Sequence, residues 1–155
     1  MPLLPAALSW NFVLATAICA SLLAQLIKVL LNLFIFHRFI AERMWGAGGM
    51  PSSHSATVCA MVVATGRYCG VNSPLFAIAA VLSIIVMYDA MGVRYETGEQ
   101  AKVLNRMFTE WMDQGFEQFQ LPHGKKLKEM VGHTPIEVVT GAALGIVLGF
   151  AMPMV

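Results

Sequence analysis

Charge is what this sequence has least of. Only 12% of its 155 residues are Asp, Glu, Lys or Arg, about half the ~25% that a soluble domain carries. With 57% hydrophobic residues, much of the surface must face something other than water. A net charge of +1 and the lack of any basic stripe argue against a nucleic-acid partner. The one cationic cluster, Lys125, Lys126 and Lys128, reads as a cytoplasmic flank of a membrane segment. The three cysteines, Cys19, Cys59 and Cys69, lack metal-ligand spacing and sit in or beside apolar runs, so they read as small hydrophobes and leave the redox compartment open. The N-terminus has neither the positive n-region nor the small-residue cleavage site of a secretory signal. Its apolar run is therefore expected to stay as an anchor. No internal repeat or low-complexity tract is evident, and the length suits one domain over 1–155.

Apolar runs set the layout. The first extends from about Leu8 to Ile40, broken only by Asn11, Gln25, Lys28, Asn32 and His37. It exceeds the ~20 residues that cross a bilayer, so it must tilt, bend or project. The second runs from Ser55 to about Tyr68, the third from Pro74 to Met91 and the fourth from Ile136 to Val155. Between Gly92 and Gly132 lies the only long polar segment. There Ala101, Leu104, Met107, Phe108, Trp111 and Met112 recur at helical spacing among Lys102, Arg106, Glu110 and Asp113, the pattern of an amphipathic surface helix. The expected fold is all-α: a polytopic membrane bundle of about four transmembrane helices plus that surface helix.

Two polar motifs stand out. In Gly48 to Ala56, Gly-Gly-Met-Pro-Ser-Ser-His-Ser-Ala, the glycines and proline make a turn and Ser52 or Ser53 can cap the helix that follows. The N–H groups of such a first turn form an anion site, and His54 is there to move a proton near neutral pH. An ordinary capped helix with an incidental histidine explains the segment equally well. In Gly132 to Gly145, Thr134, Pro135 and Glu137 spell a capping box with proline at the first helical position, so Glu137 has a structural explanation. Yet His133, Glu137, Gly141, Gly145 and Gly149 are spaced four apart. If helical geometry extends back to His133, all five lie on one stripe whose glycines allow close packing, and a carboxylate beside an imidazole can support it as nucleophile or base. Lys28 and Asp89, ionisable residues inside apolar runs, point to function by default. A structural Lys28–Asp89 pair or a snorkelling lysine is the plainer account. Arg94 suits bidentate phosphate binding, although setting topology alone would explain it.

Pro51 to His54 together with His133-x3-Glu137-x3-Gly141 resembles the second and third signature motifs of the type 2 phosphatidic acid phosphatase superfamily. The blocks Gly48–Ala56, Tyr88–Arg94 and Gly132–Val138 are similar to those of its small divergent membrane branch. The resemblance covers roughly Lys28 to Gly149. It implies His133 as a nucleophile that forms a phosphohistidine, Glu137 as the acid that orients it, and His54 as the general acid for the leaving oxygen. Arg94 and Lys28 would hold the phosphate with Ser52 and Ser53. The sequence departs from the superfamily's pattern in several places. Arg94 precedes His133 by 39 residues rather than six, and Glu137 stands where aspartate is usual. Lys28 and Arg38 do not make the first motif, Lys-x6-Arg-Pro, and four spans are fewer than the usual six-helix core.

The expected function is accordingly a lipid phosphate phosphatase acting on a phosphomonoester or pyrophosphate head group, without metal or cofactor. The alternative is a protein that binds, transports or assembles around a lipid phosphate without turnover. Membrane lipids are the expected surroundings, and the oligomeric state stays open, a homo-oligomer included. Lys and Arg counts place the connections after spans one and three in the cytoplasm, and the motifs with them. Single cysteines at Ser73 and Gln114, in a cysteine-free background, should therefore react with an impermeant thiol reagent from opposite sides of the membrane. Reaction of both from one side would break the four-span layout.

Overall fold

In the computed structural model, residues 11–36, 49–114, 126–129 and 131–154 are described. Arg38, Arg43, Gly48 and Lys125 fall outside them. The described residues form five helices: α1 (Phe12–Phe36), α2 (Ser53–Cys69), α3 (Pro74–Met91), α4 (Val93–Asp113) and α5 (Pro135–Ala151). The expected boundaries of the third run match α3, and the others agree within a few residues at their described ends. Helices α2, α3 and α5 begin where local chemistry starts a helix. Ser52 caps α2 and Ser73 caps α3, each accepting a backbone N–H, and a proline occupies the first turn of α3 and of α5.

Their directions follow from contacts at the two ends. The Phe12 ring at the start of α1 lies 6.3 Å from the Tyr68 ring near the end of α2, so these helices are antiparallel. On α3, Phe76 packs at Gly66, while Ser83 and Met87 meet Cys59, which makes α3 antiparallel to α2 as well. Helix α5 runs parallel to α2. Gly141 lies against the backbone of Ser52, Gly145 against that of Ala56, and Gly149 against Ala60 and Val63. The chain thus alternates direction through α1, α2, α3 and α5.

Small residues make the interior. Ala20 and Ala24 of α1 meet Ala56 and Ala60 of α2, with Leu144 and Leu148 of α5 packed on them. The large side chains face outwards instead. Leu14, Ile18, Leu22, Leu26, Leu30 and Leu33 form an exposed stripe on α1, and Leu75, Ile78, Leu82, Ile85 and Tyr88 are exposed on α3. Apolar surface this continuous is foreign to a soluble monomer, and packing on small residues is the habit of helices in lipid. Two helical stretches, Phe12–Phe34 and Pro74–Asp113, are long and apolar enough to cross a membrane, and the last helix is a shorter apolar one. The architecture is an all-helical membrane bundle.

Helix α4 follows α3 across a break at Gly92 (φ −99°, ψ −92°). It buries Gly98, Ala101 and Asn105 and carries the exposed ion pairs Lys102–Glu99 and Arg106–Glu110, so the expected amphipathic helix is present. Asn105 donates to the carbonyl of Leu127 and accepts from its N–H, both at 2.8 Å. That exchange pins residues 126–129 along α4 on the way to α5.

Arg67 does more than flank a span. Its guanidinium donates to the carbonyls of Gly149 and Met152 at 2.6 and 2.7 Å and sits 5.5 Å from the centre of the Phe12 ring. It therefore satisfies carbonyls at the end of α5 while tying together three helices.

The glycine contacts generate a test. Alanine is normally a better helix former than glycine by about 1 kcal/mol, but a methyl at Gly145 would run into the Ala56 backbone, which cannot move aside alone. Gly145→Ala should lower stability by about 1–3 kcal/mol, read as a fall in the thermal midpoint in detergent.

Candidate functional site

The polar motifs converge at one end of the bundle. The starts of α2 and α5, the end of α3 and the start of α4 meet there, and Lys28 of α1 lies at the same level. The parallel packing of α2 on α5 makes this possible. It brings their first turns side by side, with the Ser52 N–H donating to the Glu137 carbonyl at 2.9 Å.

His133 is almost fully enclosed, 2% exposed. Its backbone N–H donates to the Ala90 carbonyl at the end of α3, 3.1 Å away. Gly132 just before it lies against the backbone of Arg94 and Tyr95, where any side chain would keep the segment off α4. The His133 ring places Nδ1 3.1 Å from Oε2 of Glu137. The same carboxylate oxygen accepts the Thr134 N–H at 3.1 Å, the reciprocal contact of the expected capping box. One oxygen therefore serves both roles read from the sequence. With Glu137 taking the Nδ1 proton, the lone pair of a neutral ring is on Nε2. That atom is buried and has no hydrogen-bond partner among the described residues.

His54 stands across from it, ring centroids 6.2 Å apart and ring planes at 64°. A small open pocket between them is lined by both histidines, Val86, Asp89, Ala90 and Arg94. Arg94 donates from Nε to Oδ2 of Asp89 at 2.6 Å. This corrects one expectation. Asp89 pairs with Arg94 and not with Lys28, the two partners lying five residues apart across the break at Gly92.

Lys28 does not line the pocket. It is 3% exposed, and its methylene stem runs alongside Gly49. Gly49 has φ +88°, a conformation that favours glycine. Lys28 and Arg94 both put positive charge around the two imidazoles. Ser52 and Ser53 are not in the pocket lining either. Ser52 is fully buried, its hydroxyl taken by Ser55 at 3.1 Å, and Ser53 is buried with its carbonyl accepting from Thr57. Of the seven residues read from the sequence, His54, His133 and Arg94 share the pocket wall, with Glu137 directly behind His133. Sequence reading missed Asp89 as the partner of Arg94 and the Ala90 carbonyl as the anchor of His133. The Asp-x4-Arg spacing across a glycine was the available signal for the first.

Residues 9–148 match the Divergent PAP2 family, and the chain belongs to that family. It is 39% identical over 144 residues to YuiD of Bacillus subtilis strain 168, a protein described as an uncharacterized membrane protein, covering 89% of this chain and 91% of the relative. No solved structure matches.

Burial holds the His133 ring below the ordinary histidine value of 6.5, and the Glu137 carboxylate pulls it part of the way back. The folded value is depressed, so the folded chain resists protonation more than the unfolded chain does. The ring's contribution to stability is therefore complete above about pH 6.5 and lost as the pH falls towards the folded value. Glu137→Gln keeps an acceptor but removes the charge. The His133 midpoint, followed by NMR of the ring, should then move further down, and an upward shift would contradict the pairing.

Proposed function

We propose that this protein is a membrane-embedded lipid phosphate phosphatase working through a phosphohistidine. The observation that carries the reading is the His133 ring, oriented by Glu137 at Nδ1 and presenting a buried, unpartnered Nε2 beside a pocket shared with His54 and Arg94. Membership of a phosphatase-related family agrees with it.

The proposed reaction has two in-line steps. His133 Nε2 attacks phosphorus and the bond to the leaving oxygen breaks, while His54 delivers a proton to that oxygen. Water then attacks the phosphohistidine, His54 accepts its proton, and inorganic phosphate leaves with Nε2 regenerated. The negative charge of Glu137 stabilises the ring as it acquires imidazolium character, and positive charge from Arg94 and Lys28 stabilises the equatorial oxygens. Lys28 also offsets the repulsion between Glu137 and an incoming phosphate. The substrate class is a phosphomonoester or pyrophosphate on a lipid, since the pocket sits at the end of a bundle whose flanks are apolar. In this reading α1, α2, α3 and α5 are four spans and the pocket is at the cytoplasmic face. Binding of a lipid phosphate without turnover is a second reading, favoured by the engagement of Arg94 with Asp89.

Purified protein should release phosphate from one or more of a panel of lipid phosphates, and a stable His133→Ala variant should release none and form no acid-labile phosphoenzyme. Glu137→Gln should keep its thermal midpoint and lose turnover by about 10²–10⁴-fold. His54→Ala should slow turnover but still form phosphoenzyme from a substrate with a good leaving group. Full activity in His133→Ala and Glu137→Gln would refute the assignment, and phosphate binding without hydrolysis by the parent protein would establish the second reading.

A further inference from the structure

The geometry points to Asp89 as a positioning residue of the same site, one that aims the Arg94 guanidinium at the phosphoryl group. This inference rests on the reading of the pocket as a phosphate site, and it assigns a role to a carboxylate which that reading leaves without one.

A carboxylate in the wall of an anion site is a liability unless it does something there. Asp89 lines the pocket with Arg94, His54 and His133, and its recorded ion pair among the described residues is with Arg94. The contact is made through Nε, at 2.6 Å. An arginine held at Nε is held by the side of its fork. Its two terminal nitrogens keep their N–H groups for a second acceptor, and among the described residues neither has a recorded partner. A guanidinium offers five donors in one rigid plane, so fixing Nε fixes the direction in which the terminal pair points. Arg94 is half exposed, and a flexible side chain at such a position would otherwise spend its time in solvent.

The backbone is built around this contact. The two residues are five apart, beyond the ordinary i,i+4 reach along one helix, and they meet because the helix breaks at Gly92 between them. Both sides of the break are tied to the nucleophile's segment. Ala90, next to Asp89, accepts the His133 N–H, and Gly132 packs on the backbone at Arg94 and Tyr95. The Asp89–Arg94 pair and the His133 ring are therefore set by one rigid piece of structure. A pair kept only for stability has no need of that linkage, and exposed pairs stabilise little in any case.

The test uses the whole protein in detergent, with two readouts: KM and kcat on a lipid phosphate, and binding of inorganic phosphate followed by its effect on the thermal midpoint. Asp89→Asn should raise KM and weaken phosphate binding by about ten-fold, as expected for a displaced charge-assisted contact, with kcat changed far less and the ligand-free midpoint nearly unchanged. Arg94→Gln should weaken binding at least as much, and the double variant no more than Arg94→Gln alone, since Asp89 acts only through Arg94. Arg94→Lys keeps the charge but loses the rigid plane through which a grip on one edge aims the other, so it should match Asp89→Asn and decides the matter if the latter folds poorly. Tighter phosphate binding in Asp89→Asn would overturn the inference, making Asp89 a competitor of phosphate for Arg94. Additive losses, or an Arg94→Lys variant equal to the parent, would overturn it too. Absence of turnover in the parent would count against the phosphatase reading alone, because the phosphate-binding arm still measures what Asp89 does.

Discussion

Everything at the site depends on how closely α2 and α5 approach. Gly141, Gly145 and Gly149 let one helix backbone rest on the other, at a separation that side chains would prevent. Because the two helices run parallel, the contact sets their first turns at one height, and the Ser52–Glu137 backbone bond locks the register there. His54 follows from one helix and Glu137 from the other. A slip of one turn, about 5.4 Å along the axis, would leave the two histidines facing different neighbours. In hydrocarbon no difference in water affinity drives helices together, and dispersion contacts of this kind supply much of the attraction.

A second constraint comes from the path between α4 and α5. Helix α4 has a polar side and few residues facing the bundle, yet it acts as a rail. Asn105 holds residues 127 and 129 against it, Gly98 accommodates the chain at Glu129, and Gly132 meets it again at Tyr95. His133 thus arrives at the pocket already fixed along its backbone, and Glu137 has only the ring left to orient. The nucleophile candidate is held from three sides by groups that take no part in chemistry.

How much of this could be read from residue order varies with the range of the interaction concerned. A helix start after Ser52 or Ser53, the apolar run Pro74–Met91, the capping role of Glu137 and the inward-facing glycines were legible, since each depends on neighbours three or four positions away. The likeness of the His54 and His133 motifs to a phosphatase superfamily also led to the family that the chain belongs to. Long-range partners left no such trace. Nothing in the order of residues shows that Arg67 reaches Gly149 and Met152, 82 and 85 positions on. Ser52 and Ser53 read as phosphate ligands, but both are buried and α5 lies against the Ser52 backbone. Asp89 was matched with the wrong cation because its partner lies across the break at Gly92, which is set by backbone angles.

The helices are unequal in length. At 1.5 Å per residue, the 25 residues of α1 span about 37 Å, while the 17 of α2 and of α5 span about 26 Å. In the four-span arrangement, a bilayer core of about 30 Å is too thin for one flank of the molecule and too thick for the other. Lipid beside α1 must thicken, or the helix must lean, while lipid beside the short helices must thin. The thinned side is the side of His54 and His133. On the proposed reading, head groups there would be drawn towards the middle of the membrane, and a phosphate riding on a lipid would meet the histidines with its tails still in hydrocarbon. Mismatch between helix length and membrane thickness would then shorten the path that such a substrate has to travel.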